Sequence, residues 1–346
     1  MEQHLLTPGP LLDEEGNLAE AGYAFSLVKR YDRADIKAKK FRIKEWDYYY
    51  IGNAECGLAL TVADNGYMSM ASVSVLRFGE NPGEHTRSII ELFSMGKLNL
   101  PRDSRLGDVV YENKKKGFSM QFLHQGDKRR LLCYMENFDD QKRTFRCDIT
   151  LMETVGKSMV IATPWKKPHH FYYNQKINNL RAGGYCKVGD ETYDFNKHSF
   201  AVLDWGRGVW TYKNTWYWSS LNAEQDGHTI GFNLGYGFGD NDAATENMFF
   251  FDNQAFKLDD VKIDIPLDDR LRDQFVGHPW TFRSESGDVA LTFTPVLDRA
   301  SDTNLFILRS NQHQVFGTFD GVIRVDGVDY PIHGLPGFAE KVYNRW

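Results

Sequence analysis

The chain has 346 residues, 42% of them hydrophobic and 14% aromatic, with 30 glycines and 11 prolines, a composition that suits twisted sheet with tight turns and excludes a simple helix bundle. Its net charge of −6 argues against broad nucleic-acid binding, which rests on Lys and Arg neutralising phosphates. No stretch approaches the roughly 20 apolar residues of a membrane span, and the N-terminus lacks the basic start and apolar run of a secretory signal, so a cytoplasmic protein is expected.

Residues 1–40 read as an irregular arm, Thr7-Pro8-Gly9-Pro10 and then Asp13-Glu14-Glu15-Gly16-Asn17, followed by a short polar helix over 26–40. The basic cluster Lys29, Arg30, Arg33, Lys37, Lys39, Lys40, Arg42 and Lys44 is interrupted by Asp32 and Asp35. It reads as a solvated helix face, with docking to an anionic ligand or surface as the competing reading.

From residue 41 the texture changes to strands. Runs are predicted over 41–51, 57–63 and 67–78, with Asp64-Asn65-Gly66 supplying a hairpin signal between the last two. Pairs over 118–125 and 130–137, then 144–152 and 159–163, follow across Gly-Asp and related turns, and such turns recur to Asp326-Gly327. Strand after strand without intervening helical periods means antiparallel sheet. Thr163-Pro164-Trp165-Lys166-Lys167-Pro168 breaks the pattern near the midpoint, giving an expected division into 1–165 and 166–346.

The halves share a short match at one fixed offset: Tyr48-Tyr49 with Tyr217-Trp218, and Asn53-Ala54-Glu55 with Asn222-Ala223-Glu224. Two similarly placed copies favour a duplicated barrel or sandwich. Further on, Ile230, Phe232, Leu234, Tyr236 and Phe238 alternate largely with glycines, which suits a strand approached closely by another element or a ligand.

Cys56, Cys133, Cys147 and Cys186 have no CxxC spacing and read as small buried side chains. No HExxH or GxSxG motif occurs, the glycines at 235, 237 and 239 do not make a GxGxxG, and Asp240, Asp242 and Glu246 lack the EF-hand pattern, so neither a metal nor a nucleotide cofactor is expected. Glu340, Arg345 and Trp346 form a last cluster, which suggests a docked tail.

The run Asp204 to Trp218 holds four of the eight tryptophans, with Asp204, Arg207 and Lys213 among them. Large amphipathic rings beside charged groups mark a candidate ligand cavity. Asp204, set between an apolar strand and the aromatic run, is a candidate general acid. The competing reading pairs it with Arg207 or Lys176. Arg207 is a carboxylate or phosphate clamp, a cation stacked on Trp205 or Trp210, or the structural partner of Asp204 or Glu246. Trp210, Tyr212, Trp216 and Trp218 share strand parity and would line one face, provided that no bulge intervenes at Lys213-Asn214; inter-barrel packing is the plain alternative. Asn174, Gln175 and Lys176 present polar groups from a probable strand beside Phe171-Tyr172-Tyr173. Asp204, Trp205 and Arg207 have no counterpart in the first half, which separates them from rings owed to ancestry.

The segments 203–210, 214–218, 232–237 with Thr245-Glu246-Asn247, Tyr173 to Asn178, the opening Thr7 to Leu12 and the ending Asn344-Arg345-Trp346 resemble the domain-of-unknown-function family 2804 (DUF2804) across nearly the whole chain. More distantly, Asp204-Trp205-Gly206 is similar to an Asp- and Trp-Gly-bearing strand motif of calycin-like double-lipocalin proteins such as carotenoid hydratases. That likeness implies two packed antiparallel lipocalin-like barrels or sandwiches, all β apart from the N-terminal arm, and an acid inside an aromatic cavity.

Three functions stay open. One is an enzyme without metal or nucleotide that uses Asp204 or Glu246 as proton donor in hydration, isomerisation or cyclisation of a substrate with an apolar body; Trp205, Arg207, Trp210, Tyr212, Trp216, Trp218, Asn174 and Lys176 would bind it. The second is a non-catalytic carrier of a lipid or isoprenoid-like molecule, and the third a carbohydrate-active protein with stacking aromatics and a carboxylate pair.

Overall fold

The computed structural model describes residues 2–153, 156–305 and 308–345. Among these, the strands form two large antiparallel sheets of thirteen and nine strands, and Gly9–Pro10 pairs with Lys29–Arg30 in a small parallel ribbon. Among the described residues no helix is long and apolar enough to cross a membrane.

Both sheets wind in the same order. In the first, Lys44–Gly52, Cys56–Asp64, Met68–Arg77 and Gly83–Leu92 run by hairpins to one edge. The chain then returns from Val109–Asn113 at the other edge through Phe118–Gln125, Lys128–Met135, Phe145–Met152 and Phe171–Val188 to Phe200–Val209, which pairs with the starting strand Lys44–Gly52. In the second, Lys213–Gln225, His228–Tyr236, Met248–Phe251 and Gln254–Lys257 run outward. Val261–Asp264, Trp280–Ser284, Val289–Leu305, Leu308–Val325 and Val328–Arg345 return, and the last pairs with Lys213–Gln225. First-to-last pairing curls each sheet into a calycin-like half barrel. Across the open side of the first, Tyr111 and Asn113 donate to the Glu91 carboxylate at 3.2 and 2.9 Å; across the second, the Tyr236 hydroxyl donates to the Ile263 carbonyl at 3.2 Å.

Tyr48-Tyr49 and Tyr217-Trp218 lie on the equivalent strands Lys44–Gly52 and Lys213–Gln225, but Asn53-Ala54-Glu55 forms the turn just after its strand while Asn222-Ala223-Glu224 stays within its own, and the tripeptides do different work. The Asn53 side chain accepts from the backbone of Glu55 and Cys56 and fixes a turn. Asn222 instead accepts from the backbone N–H of Asn179, and Glu224 accepts from Arg181 at 2.8 Å, so the second copy clamps one sheet to the other.

Two expectations are revised. The segment 26–40 is not a helix: it contains an extended Lys29–Arg30 and a single 3-10 turn at Arg33–Asp35, with another at Lys40–Arg42 just beyond. Its backbone is committed elsewhere, because Lys29 exchanges hydrogen bonds with the Tyr173 hydroxyl and Tyr31 is buried with its hydroxyl donating to Glu45. Two cations of the basic cluster are used internally as well, Lys29 on Glu20 and Arg33 on Glu45. The division expected near Trp165 falls within the first sheet, since Met159–Pro164 and Phe171–Val188 form a hairpin; the chain changes sheet between Val209 and Lys213.

The first barrel encloses a mainly apolar core with Tyr49, Leu60, Phe122 and Trp205. A buried polar plug, Arg207 with Asp47 and Glu45, sits in the same interior. The second packs Phe232, Trp280, Phe293 and Phe319; each such side chain, fully buried, contributes about 1.5–3 kcal/mol relative to exposure. The outer faces of the two sheets pack against each other, and the cavity lies there.

Candidate functional site

Strand alternation sorts the motif Asp204 to Val209 into two environments. Trp205 and Val209 belong to the first barrel's core, whereas Asp204 turns to the opposite face and lines a cavity between the sheets. Gly206 shares the face of Asp204, and a Cβ there would overlap the indole of Trp46. With no side chain in the way, Trp46 lies across the strand, stacked on Tyr172 with centroids 5.7 Å apart and planes 15° from parallel. The glycine of the motif thus shapes the cavity wall.

The opposite wall comes from three strands of the second sheet in register. Trp218, Glu340 and Gln314 form one cross-strand row; Trp216, Val342 and Gln312 the next; Asn214, Asn344 and Ser310 the third. Phe238 closes the aromatic side, with ring centroids 4.7 Å from Tyr172, 5.1 Å from Trp216 and 5.3 Å from Trp210. These contacts are edge-on, so Phe238 ties the rings into one cluster and not into a row of parallel faces. The cavity measures about 170 Å³.

Its charged groups are unequal in number. Lys176 is the one ammonium or guanidinium among the described lining residues, facing three carboxyls, Asp204, Glu246 and Glu340. Asp204 takes it: Lys176 Nζ lies 2.8 Å from Oδ1, and Asn174 donates to the same oxygen at 2.6 Å. The ammonium also sits over the Trp218 ring, 3.8 Å from its centroid. Asp204 Oδ2 has no hydrogen-bond partner among the described residues.

Glu340 receives hydrogen bonds from Trp216 Nε1 at 2.9 Å and Gln314 Nε2 at 3.0 Å, and the Tyr48 hydroxyl donates to Gln314 in turn. Burial pushes the Glu340 carboxyl up to about 7 against these donors and the Lys176 charge. Glu246 lies in the loop after His228–Tyr236, fixed by its neighbours: Asn247 accepts from the Gly235 backbone and donates to the Asp259 carbonyl, and Thr245 donates to the Leu258 carbonyl. Its carboxyl is raised by burial, with Lys176 opposing. The Tyr172 hydroxyl is driven well above its ordinary range, first by burial and then by the nearby carboxylates.

Of the residues singled out in the sequence, Asp204, Glu246, Lys176, Trp210, Trp216 and Trp218 meet around one cavity. Asn174 stands behind Asp204, donating to it and to the Trp205 carbonyl. Trp205 and Arg207 lie on the other side of their strand; Arg207 is wholly buried, donating to Asp47 and to the carbonyls of Trp46, Gly206 and Pro101. Tyr212 is 43% exposed on the crossing between sheets, which breaks the parity of the aromatic run. Glu340 entered the sequence reading as part of a terminal cluster; its place here follows from the first-to-last strand pairing, which no local pattern announces. Trp346 lies outside the described residues. Trp46, Tyr172, Phe238 and Asn344 also line the cavity, unmarked by any motif.

The chain belongs to the family described as domain of unknown function DUF2804, whose family model matches residues 2–346. No curated protein matches the sequence. Among solved structures, a protein of Nitrosomonas europaea carrying the provisional name AttH is similar at a TM-score of 0.51 and 15% identity, over 90% of this chain and 96% of that one. Kievitone hydratase of Nectria haematococca is similar at a TM-score of 0.47 and 12% identity, over 88% of each chain. The likeness to these structures is one of fold.

Proposed function

We propose that this DUF2804 chain is a proton-transfer enzyme acting on a small, largely apolar or amphipathic molecule held between its two sheets. The observation that carries the reading is the charge balance of the cavity: three buried carboxyls share one ammonium, and Asp204 takes it. Carboxyls left without a counter-ion in an apolar site keep their protons near neutrality, and a neutral acid facing a ligand is a proton donor.

Glu340 fits the donor role because its conjugate base already has two N–H donors, from Trp216 and Gln314. Hydration, isomerisation and cyclisation of an alkene share one first step. The acid proton bonds to one alkene carbon, the π pair forms that C–H bond, and a carbocation remains at the other carbon. The rings of Trp46 and Trp216 and the negative charge of Asp204 stabilise such a cation. Asp204 Oδ2 then accepts a proton, either from a water that adds to the cation or from the carbon next to it. Glu246, its carboxyl also raised by burial, lines the same cavity and is placed to hydrogen-bond the ligand.

A second reading, a carrier without chemistry, is favoured by the satisfied Lys176–Asp204 pair and the largely aromatic lining. The edge-on rings give less support to stacking on a sugar. All four cysteines are buried and unpaired, which fits a reducing cytoplasmic setting.

Mass spectrometry of small molecules that co-purify with the native protein identifies the ligand, and incubating it with enzyme in deuterium oxide tests the chemistry. Protonation at carbon incorporates deuterium at a non-exchangeable position with wild type and not with Glu340→Gln. A bound ligand that returns with unchanged mass under every condition leaves the carrier and removes the enzyme.

A further inference from the structure

The row farthest from Glu340 holds an amide that the protein itself does not use. Asn344 is 1% exposed and lines the cavity, and neither its Oδ1 nor its Nδ2 has a hydrogen-bond partner. Its register neighbour Asn214 is the contrast: that amide donates to the Thr211 carbonyl at 2.7 Å and accepts from the Thr211 hydroxyl at 3.0 Å. A buried amide with neither a donor nor an acceptor partner destabilises the fold, so such groups are retained where something else satisfies them.

We propose that Asn344 recognises a neutral oxygen function, a hydroxyl or a carbonyl, carried by the ligand at the end remote from the acid. The inference rests on the cavity being a ligand site, as argued above, and not on any chemistry there. Asn344 and Glu340 share one face of the same strand four residues apart, which separates their backbones by about 13 Å. An apolar molecule spanning part of that distance places its double bond near Glu340 and its oxygen near Asn344.

Neutrality follows from the surroundings. An amide offers one acceptor and two donor hydrogens but no charge, and its cross-strand neighbours Asn214 and Ser310 are uncharged. A carboxylate or ammonium brought to this row would be buried without a counter-ion, whereas a hydroxyl can both give to Oδ1 and accept from Nδ2. The recognised class is therefore an alcohol or ketone with an apolar skeleton.

The test uses two C10 probes that differ by the elements of water, limonene with an isopropenyl group and α-terpineol with a tertiary alcohol in its place, titrated into the full chain with tryptophan fluorescence as readout. Wild type is expected to bind α-terpineol more tightly. Asn344→Leu, of nearly the same size, weakens α-terpineol by about tenfold and leaves limonene unchanged, the scale of one lost hydrogen bond. Asn344→Asp, which replaces donor hydrogens by an acceptor, does the same to α-terpineol if its hydroxyl or a carbonyl analogue needs the donor. Thermal unfolding separates recognition from a structural role: Asn344→Leu should melt at the wild-type temperature or above. A clear drop in melting temperature, or equal loss of both probes, overturns the assignment. Binding of limonene alone overturns the role of Asn344 and leaves the ligand site standing, and binding of neither probe by wild type overturns both.

Discussion

Lys176 and Asp204 face each other in register on neighbouring strands, Nζ 2.8 Å from Oδ1, at the point where the two sheets meet. The same ammonium contacts the Trp218 ring of the opposite sheet, so one side chain neutralises an acid and joins two walls of the cavity. Lys176→Met leaves a buried carboxylate without its partner and should cost about 3–5 kcal/mol in urea denaturation. The double variant Lys176→Met with Asp204→Leu should recover most of that loss. Equal destabilisation by the double variant would show that Lys176 acts through packing on Trp218 alone.

Glu340 makes stability depend on pH in a predictable sense. Its folded carboxyl is held at about 7, against an ordinary value of 4.5, so the folded state binds the proton more tightly than the unfolded chain. The resulting stabilisation is complete below pH 4.5 and is lost as pH rises through 7, on the order of 3 kcal/mol in all. Glu340→Gln removes this slope. Urea titrations of both proteins from pH 4 to 8 check it, and parallel curves would contradict it. If Glu340 is the proton donor, turnover likewise holds level below pH 7 and falls about tenfold per pH unit above it.

Gly206 is required by its neighbour across the sheet. A methyl group there meets the Trp46 ring, so Gly206→Ala must either displace the indole from Tyr172 or strain the strand, at a cost of about 1–3 kcal/mol. Near-ultraviolet circular dichroism reads the Trp46–Tyr172 stacking directly. An unchanged aromatic spectrum together with unchanged stability would mean that the wall is not built around this glycine.

Most hairpins were legible because their signals are local; the expected pair over 144–152 and 159–163 was not, since Phe145–Met152 and Met159–Pro164 each pair with Phe171–Val188 and not with each other. Alternation over Phe118–Gln125 and the turn residues between strands are read within a few positions of each other, and the strands lie where the pattern puts them. Asp204 was legible for a similar reason, as an acid set among rings. The face on which each neighbour lies was not. Parity separates Asp204 from Trp205, but only the curl of the sheet decides which side becomes barrel interior, and it encloses Trp205 and Arg207. The aromatic run also crosses from one sheet to the other between Val209 and Lys213, so parity counted through Tyr212 loses meaning. Glu340 reaches Trp216 across a sequence separation of 124 residues, a contact made by closure of the barrel. The arm misled because helical charge spacing says nothing of Tyr31 and Lys29 being drawn over the barrel end.

The separation of Asp204 from Arg207 yields the test that best divides structure from function within one motif. Arg207 is wholly enclosed in the first barrel, where its guanidinium donates to Asp47 and three backbone carbonyls. A lysine keeps the charge but offers three donors from a single nitrogen in place of the planar guanidinium fork that reaches four acceptors, so Arg207→Lys should lower stability by about 2–3 kcal/mol. Because this side chain and the cavity lie on opposite sides of the strand, ligand affinity measured well below the melting temperature should stay at the wild-type value. Asp204→Asn differs in its effect on the ligand. It keeps the side-chain shape and the Oδ1 acceptor but strips Lys176 of its counter-ion, so it also lowers stability, and it removes the charge that faces the ligand and with it the proposed deuterium incorporation. Loss of ligand binding in Arg207→Lys at a temperature where its circular dichroism is native would place Arg207 in the ligand site and undo this division.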